Sequence, residues 1–207
     1  LYGYPIEVAK KIKFDAGCLE KSWHKNCVAI GLSGAFIEPL EASAIGVSIQ
    51  QAFVLAECLP MYVADNPIAE DRFNRNTDDI MENILDFVAL HYMVKRDDTP
   101  FWKSVKDLPT PPRLAKMLEV YKHKFPSDID FENKAVLFQA ANYILVMYGL
   151  GLLDSEVAKF EVSKLPEIMQ QNMEYHTPGT LSDGVVLIPH REAIENLKKL
   201  PPAPKFA

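Results

Sequence analysis

The sequence predicts a mainly α-helical fold with a few short strands near its start. Three observations carry that reading. Apolar residues recur at helical spacing through the middle of the chain: Ile80, Ile84, Phe87, Val88 and His91, at intervals of four, three, one and three, share one helix face. Stretches with a strand's character, Lys10–Ala16 around Ile12 and Phe14 and Val28–Ile30, fall in the first thirty residues. With 48% hydrophobic and 24% charged residues in 207 positions, the chain has enough apolar surface for a sizeable core.

The same numbers exclude some classes. A formal net charge of −6 argues against a nucleic-acid partner, whose groove needs clustered Lys and Arg. No uninterrupted apolar run suggests a membrane span, and no secretory leader is visible. Cys18, Cys27 and Cys58 are odd in number and lack metal-ligand spacing. That pattern fits reduced, partly buried thiols in a cytoplasmic protein without a metal centre.

Taken in order, Gly17 is expected to end the first strand, Trp23 to pack and His24 to face water. Val28–Ile30 reads as a buried strand, and Gly31 lets the backbone turn away from it. Pro39, with Glu38 and Glu41 on either side, marks a helix start near Glu38, where the helix dipole favours negative charge. Ser43, Ala44 and Gly46 keep that first turn slim, so a flat cofactor or a small anion can lie against the backbone. The helical pattern runs from Ala42 to Leu59 and Pro60 ends it. Asp65, Asn66 and Pro67 form a turn and a domain boundary, giving regions 1–66 and 67–207.

In the helix through Ile80–His91, Asp78, Asp79, Glu82 and Asn83 are assigned to the outer side. Asp97–Pro100 is a stop, and Phe101 and Trp102 after it read as a packing anchor. Leu108–Pro112 is a rigid linker. Arg113–Lys124 is a surface helix with Leu114, Met117, Leu118 and Tyr121 inward, and Phe125–Asp130 is a loop. A further helix is expected over Glu132–Tyr148, closed by Gly149-Leu150-Gly151. Val162–Tyr175 and His190–Leu200 read as helices on either side of the turn-rich Pro178–Gly184, before a stiff proline tail.

Two stretches add a family. Asn26–Ser43, NCVAIGLSGAFIEPLEAS, resembles the signature of the flavin-dependent tryptophan halogenases, roughly N-x-V-A-I-G-L-x-x-G-F-x-E-P-L-E-S/A-T/S. Asp86–Trp102, DFVALHYMVKRDDTPFW, resembles a later block of that family ending in Asp-Thr-Pro-Phe-Trp. The resemblance implies the C-terminal part of a two-part flavoprotein. Residues 1–66 would be the end of the FAD-binding region, with the flavin and halide turn, and 67–207 the helical substrate region. Most of the FAD-binding α/β region would be missing, including the Gly-x-Gly-x-x-Gly turn and the family's lysine, so the fragment alone is expected to be inactive.

The activity implied is that of a FADH2-dependent halogenase. Reduced FAD comes from a separate flavin reductase, O2 and chloride or bromide are consumed to make hypohalous acid, and an electron-rich aromatic is halogenated. Glu41 is then catalytic, stabilising the cationic ring or taking its proton. Ser43 and Ala44 fall at the halide, and Gly31, Leu32, Ser33 and Ile45 at the flavin. Ala42 replaces a serine common beside the glutamate. A homodimer is left open.

Counted back from Gly149-Leu150-Gly151, the register resembles the family's indole box, with a Phe-Trp pair at Leu137 and Phe138, a glutamate at Asn133 and two tyrosines near Pro126 and Ser127. Asn133, Leu137 and Phe138 are therefore the substrate-binding candidates. Asparagine cannot make the charge-assisted bond that a glutamate makes to an α-ammonium, so an indole-like aromatic other than free tryptophan is expected. The alternatives are a related flavin monooxygenase that hydroxylates an aromatic and a catalytically silent relative serving as a binding module. Ser33, Asp15 and His24 do not suggest a hydrolase, since Gly-Leu-Ser-Gly is not Gly-x-Ser-x-Gly.

Overall fold

A 24-residue helix, α2 (Ile68–His91), runs through the middle of the molecule and is about 36 Å long at 1.5 Å per residue. The structure is a computed structural model, and it describes residues 15–63 and 66–167 together with Glu195 and Lys199. The chain divides into two compact units, Leu1–Ala158 and Lys159–Ala207. Among the described residues, the first unit holds the strands and the helices that pack on α2.

Ile80, Ile84, Phe87 and Val88 are buried along α2 as their spacing requires, together with Phe73, Thr77 and Leu90. Helix α1 (Ala44–Cys58) buries Val47, Gln51, Val54 and Cys58, at intervals of four, three and four, and packs on α2. Helix α3 (Pro100–Lys106) follows, with the Thr99 hydroxyl accepting from the Trp102 amide at its start. Helices α4 (Pro112–Tyr121) and α5 (Ala140–Leu150) both pack on α2. Gly151 ends α5 at φ +68°, a conformation glycine adopts without penalty. Helix α6 (Ser155–Lys164) runs through the boundary between the units.

The strands are short antiparallel pairs. β1 (Gly17–Cys18) pairs with β4 (Ala35–Phe36), and β2 (Trp23–His24) with β3 (Cys27–Val28). Trp23 is buried and His24 exposed, as expected. Two buried asparagines of α2 fasten neighbouring segments to it. Asn74 accepts from the Trp23 amide at 2.7 Å and donates to its carbonyl at 2.9 Å. Asn83 accepts from the Phe138 amide at 2.9 Å and donates to its carbonyl at 2.8 Å.

Several expectations are corrected. Gly17 begins a strand rather than ending one, and most of the expected strand before it lies outside the described residues. The strand at Val28–Ile30 is confined to Cys27–Val28 and is not fully buried. The helix expected at Glu38 starts at Ala44, because a 3-10 turn over Leu40–Ala42 with a left-handed Glu41 intervenes. Asn83 faces inward, since its amide serves a neighbouring backbone. Phe101 is 55% exposed, while partly buried Trp102 packs on Tyr92 with ring centroids 6.2 Å apart. The helix expected from Glu132 begins at Ala140, because Asn83 holds the preceding backbone in an extended connection. Cys18 and Cys27 are exposed, while burial pushes the Cys58 thiol above its ordinary value. The stretch Leu40–Met61 is, by length and composition alone, apolar enough to cross a membrane, which the sequence reading did not anticipate. Here it is a helix packed on α2, with a buried glutamine on its packing side. Of the stretch expected as helix from Val162, residues 162–164 belong to α6, and beyond residue 167 only Glu195 and Lys199 are among the described residues.

Candidate functional site

The site is built where the turn before α1 meets the C-terminal end of α2. Glu41 and Ala42 have φ of +66° and +47°, in a region that non-glycine residues occupy at a cost of about 1–3 kcal/mol each. This kink brings the Glu41 Oε1 to 2.9 Å from His91 Nε2 at the last residue of α2. His91 is itself anchored, because its Nδ1 lies 2.8 Å from the Phe87 carbonyl one turn earlier. Glu38, three residues before Glu41, accepts from the Tyr92 hydroxyl with both oxygens, at 3.0 and 2.9 Å. Burial, reinforced by the Glu38 charge, pushes the Tyr92 phenol above its usual value.

An aromatic wall continues from His91. Its ring stands edge-on to Phe87 at 4.7 Å, and Phe87 stacks on Phe138 at 4.0 Å. Phe138 holds that place through its two backbone bonds to Asn83. Leu137 beside it reaches α1: a β-carbon on Gly46 would lie 3.0 Å from a Leu137 methyl. The path therefore closes from Glu41 through His91, Phe87, Phe138 and Leu137 back to Gly46, just after Ser43 and Ala44.

On the other side of Ser43 lies the Gly31–Ser33 turn. Gly31 has φ +60°, and a β-carbon there would lie 2.2 Å from the Ser48 hydroxyl, so only glycine fits. Its amide donates to buried Gln51 at 2.7 Å, which ties the turn to α1. Ser33 turns its hydroxyl back on Ile30, accepting from the amide and donating to the carbonyl. Gly31, Leu32, Ser43, Ala44 and Val47 line one small cavity. Leu32 and Ile45 stand 66% and 75% exposed beside it. No side chain caps α1, and Ser43 and Ala44 at its start line this cavity. These features fit one face of a flat ring system and a small anion. Among the described residues there is no glycine-rich loop for a dinucleotide's phosphates.

The structure thus brings together Glu41, Ser43, Ala44, Gly31, Leu32, Ser33, Ile45, Leu137 and Phe138. Asn133 is not with them. Its amide donates to Asn76 and to Asp79, both at 3.1 Å, and it lines a polar cavity of about 520 Å³ with Arg113, Lys116 and Asp130. Asp79 precedes His91 by twelve residues on one helix, which is about 18 Å of axial rise. The sequence reading missed His91 as a polar partner and took it for packing; the signal available was its place inside the DFVALHY block. Nothing in the local pattern marks Asn83 as the residue that fixes Phe138.

Comparison with known proteins bears on this geometry. A family model described as tryptophan halogenase matches residues 3–164. Tryptophan 7-halogenase KtzQ of Kutzneria sp. (strain 744) is 32% identical over 155 residues, which are 69% of this chain and 29% of that protein. The chain therefore spans under a third of the length of that curated relative. The solved structure of a tryptophan halogenase from Shewanella frigidimarina NCIMB 400 superposes with a TM-score of 0.68 at 29% identity, over 92% of this chain and 34% of that one. BrvH, a flavin-dependent halogenase from Brevundimonas sp. BAL3, gives 0.73 at 28% identity, over 95% and 39%.

Proposed function

Because the chain belongs to the tryptophan halogenase family, we propose that the Glu41 site is the proton-accepting end of a reaction that halogenates an electron-rich aromatic with hypohalous acid. The observation that carries this is the kinked turn that holds a carboxylate against His91 at the edge of an aromatic wall. Strain kept at two adjacent non-glycine residues is the kind that placing a reactive group would justify.

The overall change is an aromatic C–H and hypohalous acid going to C–halogen and water. Phe138 and Leu137 would hold the flat substrate, with buried Phe87 backing Phe138, since ring and aliphatic faces offer dispersion without competing polar groups. As halogen bonds to the ring, positive charge spreads over it, and the Glu41 carboxylate stabilises that charge. The C–H bond then breaks, its electron pair restores aromaticity, and Glu41 takes the proton. Reduced FAD, when bound, would pass two electrons to O2, and O2 would be the oxidant that turns halide into hypohalous acid. Gly31, Leu32, Ser33 and Ile45 would lie against the flavin ring, and the backbone near Ser43 and Ala44 would hold chloride or bromide.

A separate flavin reductase is the proposed source of reduced FAD. Asn133 is proposed only as an outlying substrate contact. The test is an assay of the protein, at the length its host makes, with reductase-supplied FADH2, bromide or chloride and a panel of indoles and phenols. Halogenated product is expected. Hydroxylated product would instead support a monooxygenase, and flavin consumption with no aromatic product under any condition would overturn both.

A further inference from the structure

His91 is held on both ring nitrogens, by Phe87 on one side and Glu41 on the other. Nδ1 faces the Phe87 carbonyl, which can only accept, so Nδ1 carries a hydrogen and donates it. Nε2 then lies 2.9 Å from a Glu41 oxygen, an ion contact across the two elements. Oε1 is thereby committed to His91. Among the described residues the other oxygen of Glu41 makes no hydrogen bond, and the side chain is 36% exposed on that account.

We propose that His91 is a positioning residue for Glu41: it binds one carboxylate oxygen and so turns the other toward the reacting ring. The proposal rests on the halogenase reading of this site. Three observations support it on this chain. Carboxylate and imidazole come from different elements and meet only because the backbone at Glu41 and Ala42 is left-handed. The imidazole cannot swing away, since Phe87 fixes it twice, through its carbonyl and through the edge-on ring contact. Phe87 is also the residue on which Phe138 stacks, so one side chain sets both the wall and the histidine that aims the carboxylate. Glu41, as a carboxylate held through Oε1 by His91, takes the ring proton on its free oxygen, so no further acceptor is needed.

The experiment compares His91→Gln, whose amide can still donate to Glu41, with His91→Leu, which cannot, in the protein at the length its host makes. Expected is a loss of kcat for halogenated product in His91→Leu on the order of tenfold or more, with KM for the aromatic within about threefold and much of the loss recovered in His91→Gln. In parallel, the ring nitrogens of His91 are followed by ¹⁵N NMR. An Nε2 resonance is expected that moves on Glu41→Gln while Nδ1 stays donating. Equal kcat in all three proteins, or an Nε2 signal indifferent to Glu41→Gln, would overturn the proposal. If His91→Leu does not fold, His91→Gln and the NMR signal decide alone. Should the unmodified protein make no halogenated product, the halogenase reading fails, and the NMR result still says whether His91 binds Glu41.

Discussion

Glu41 illustrates how one residue can be costly to the fold and useful to the site. Its left-handed backbone is a conformation that glycine would adopt more easily, yet glycine has no carboxylate to set against His91. Glu41→Gln keeps the size and much of the hydrogen bonding and removes only the ability to accept a proton at neutral charge. We expect halogenated product to fall on the order of a hundredfold or more, the scale of losing a general base, while reduced flavin is still consumed. Product and flavin are measured in the same reaction, and near wild-type product yield would show that the carboxylate is not the base. Ser33 makes the opposite point. Its hydroxyl is satisfied within its own turn, so any contact to a flavin there comes from its backbone.

Buried polar groups on α2 connect the elements around the site, and they make two tests. Asn83→Ala would leave the amide and carbonyl of Phe138 buried without partners, for a loss of about 2–4 kcal/mol in urea unfolding, and would loosen the Phe138 ring from Phe87. An unchanged unfolding midpoint would mean that water replaces the asparagine. Asp86 lies fully buried with the Arg113 Nε of α4 at 3.1 Å from Oδ2, an ion contact rather than a hydrogen bond. Burial, against the attraction of Arg113, pushes its carboxyl from 3.8 up to about 6. The folded state therefore holds this proton more tightly than the unfolded one. Its contribution to stability is fully present below about 3.8 and is lost as the pH rises through about 6. Relative to Asp86→Asn, the unmodified protein should lose stability between those values and run parallel above them; parallel curves throughout would refute the shift. The sequence disclosed the apolar face of α2 because Ile80, Ile84, Phe87 and Val88 obey helical periodicity. It hid Asn74, Asn83 and Asp86 because their partners lie 51, 55 and 27 residues away, where no local pattern reaches. Glu41 was legible through the Glu-Pro-Leu-Glu motif. Its histidine was legible only as one more member of an inward helix face.

At the scale of the molecule, the question is which aromatic the site accepts. Free tryptophan carries an ammonium and a carboxylate, and removing either from water without a partner costs several kcal/mol. The acids beside the aromatic wall are engaged: Glu41 with His91, and Glu38 with Tyr92. Near the stretch that resembles the indole box, burial works to raise the Asp130 carboxyl, but bonds from Lys124 and Ser127 overcome it and hold the group below its usual value. Asp79 is bound by Asn133, about 18 Å of helix away from His91. Leu137 and Phe138 can still hold a ring, which needs no charge to stack. We therefore expect an uncharged or larger aromatic, such as indole, a phenol or a carrier-bound or peptide-like compound, to be preferred over the free amino acid. Indole and tryptophan offered together at equal concentration give the ratio of their kcat/KM directly, and a ratio above one for indole is expected. A higher kcat/KM for tryptophan would mean that an acid released from its present partner meets the ammonium. Asp79→Asn and Asp130→Asn would then identify it, because only the variant that lost the contact would shift the ratio toward indole.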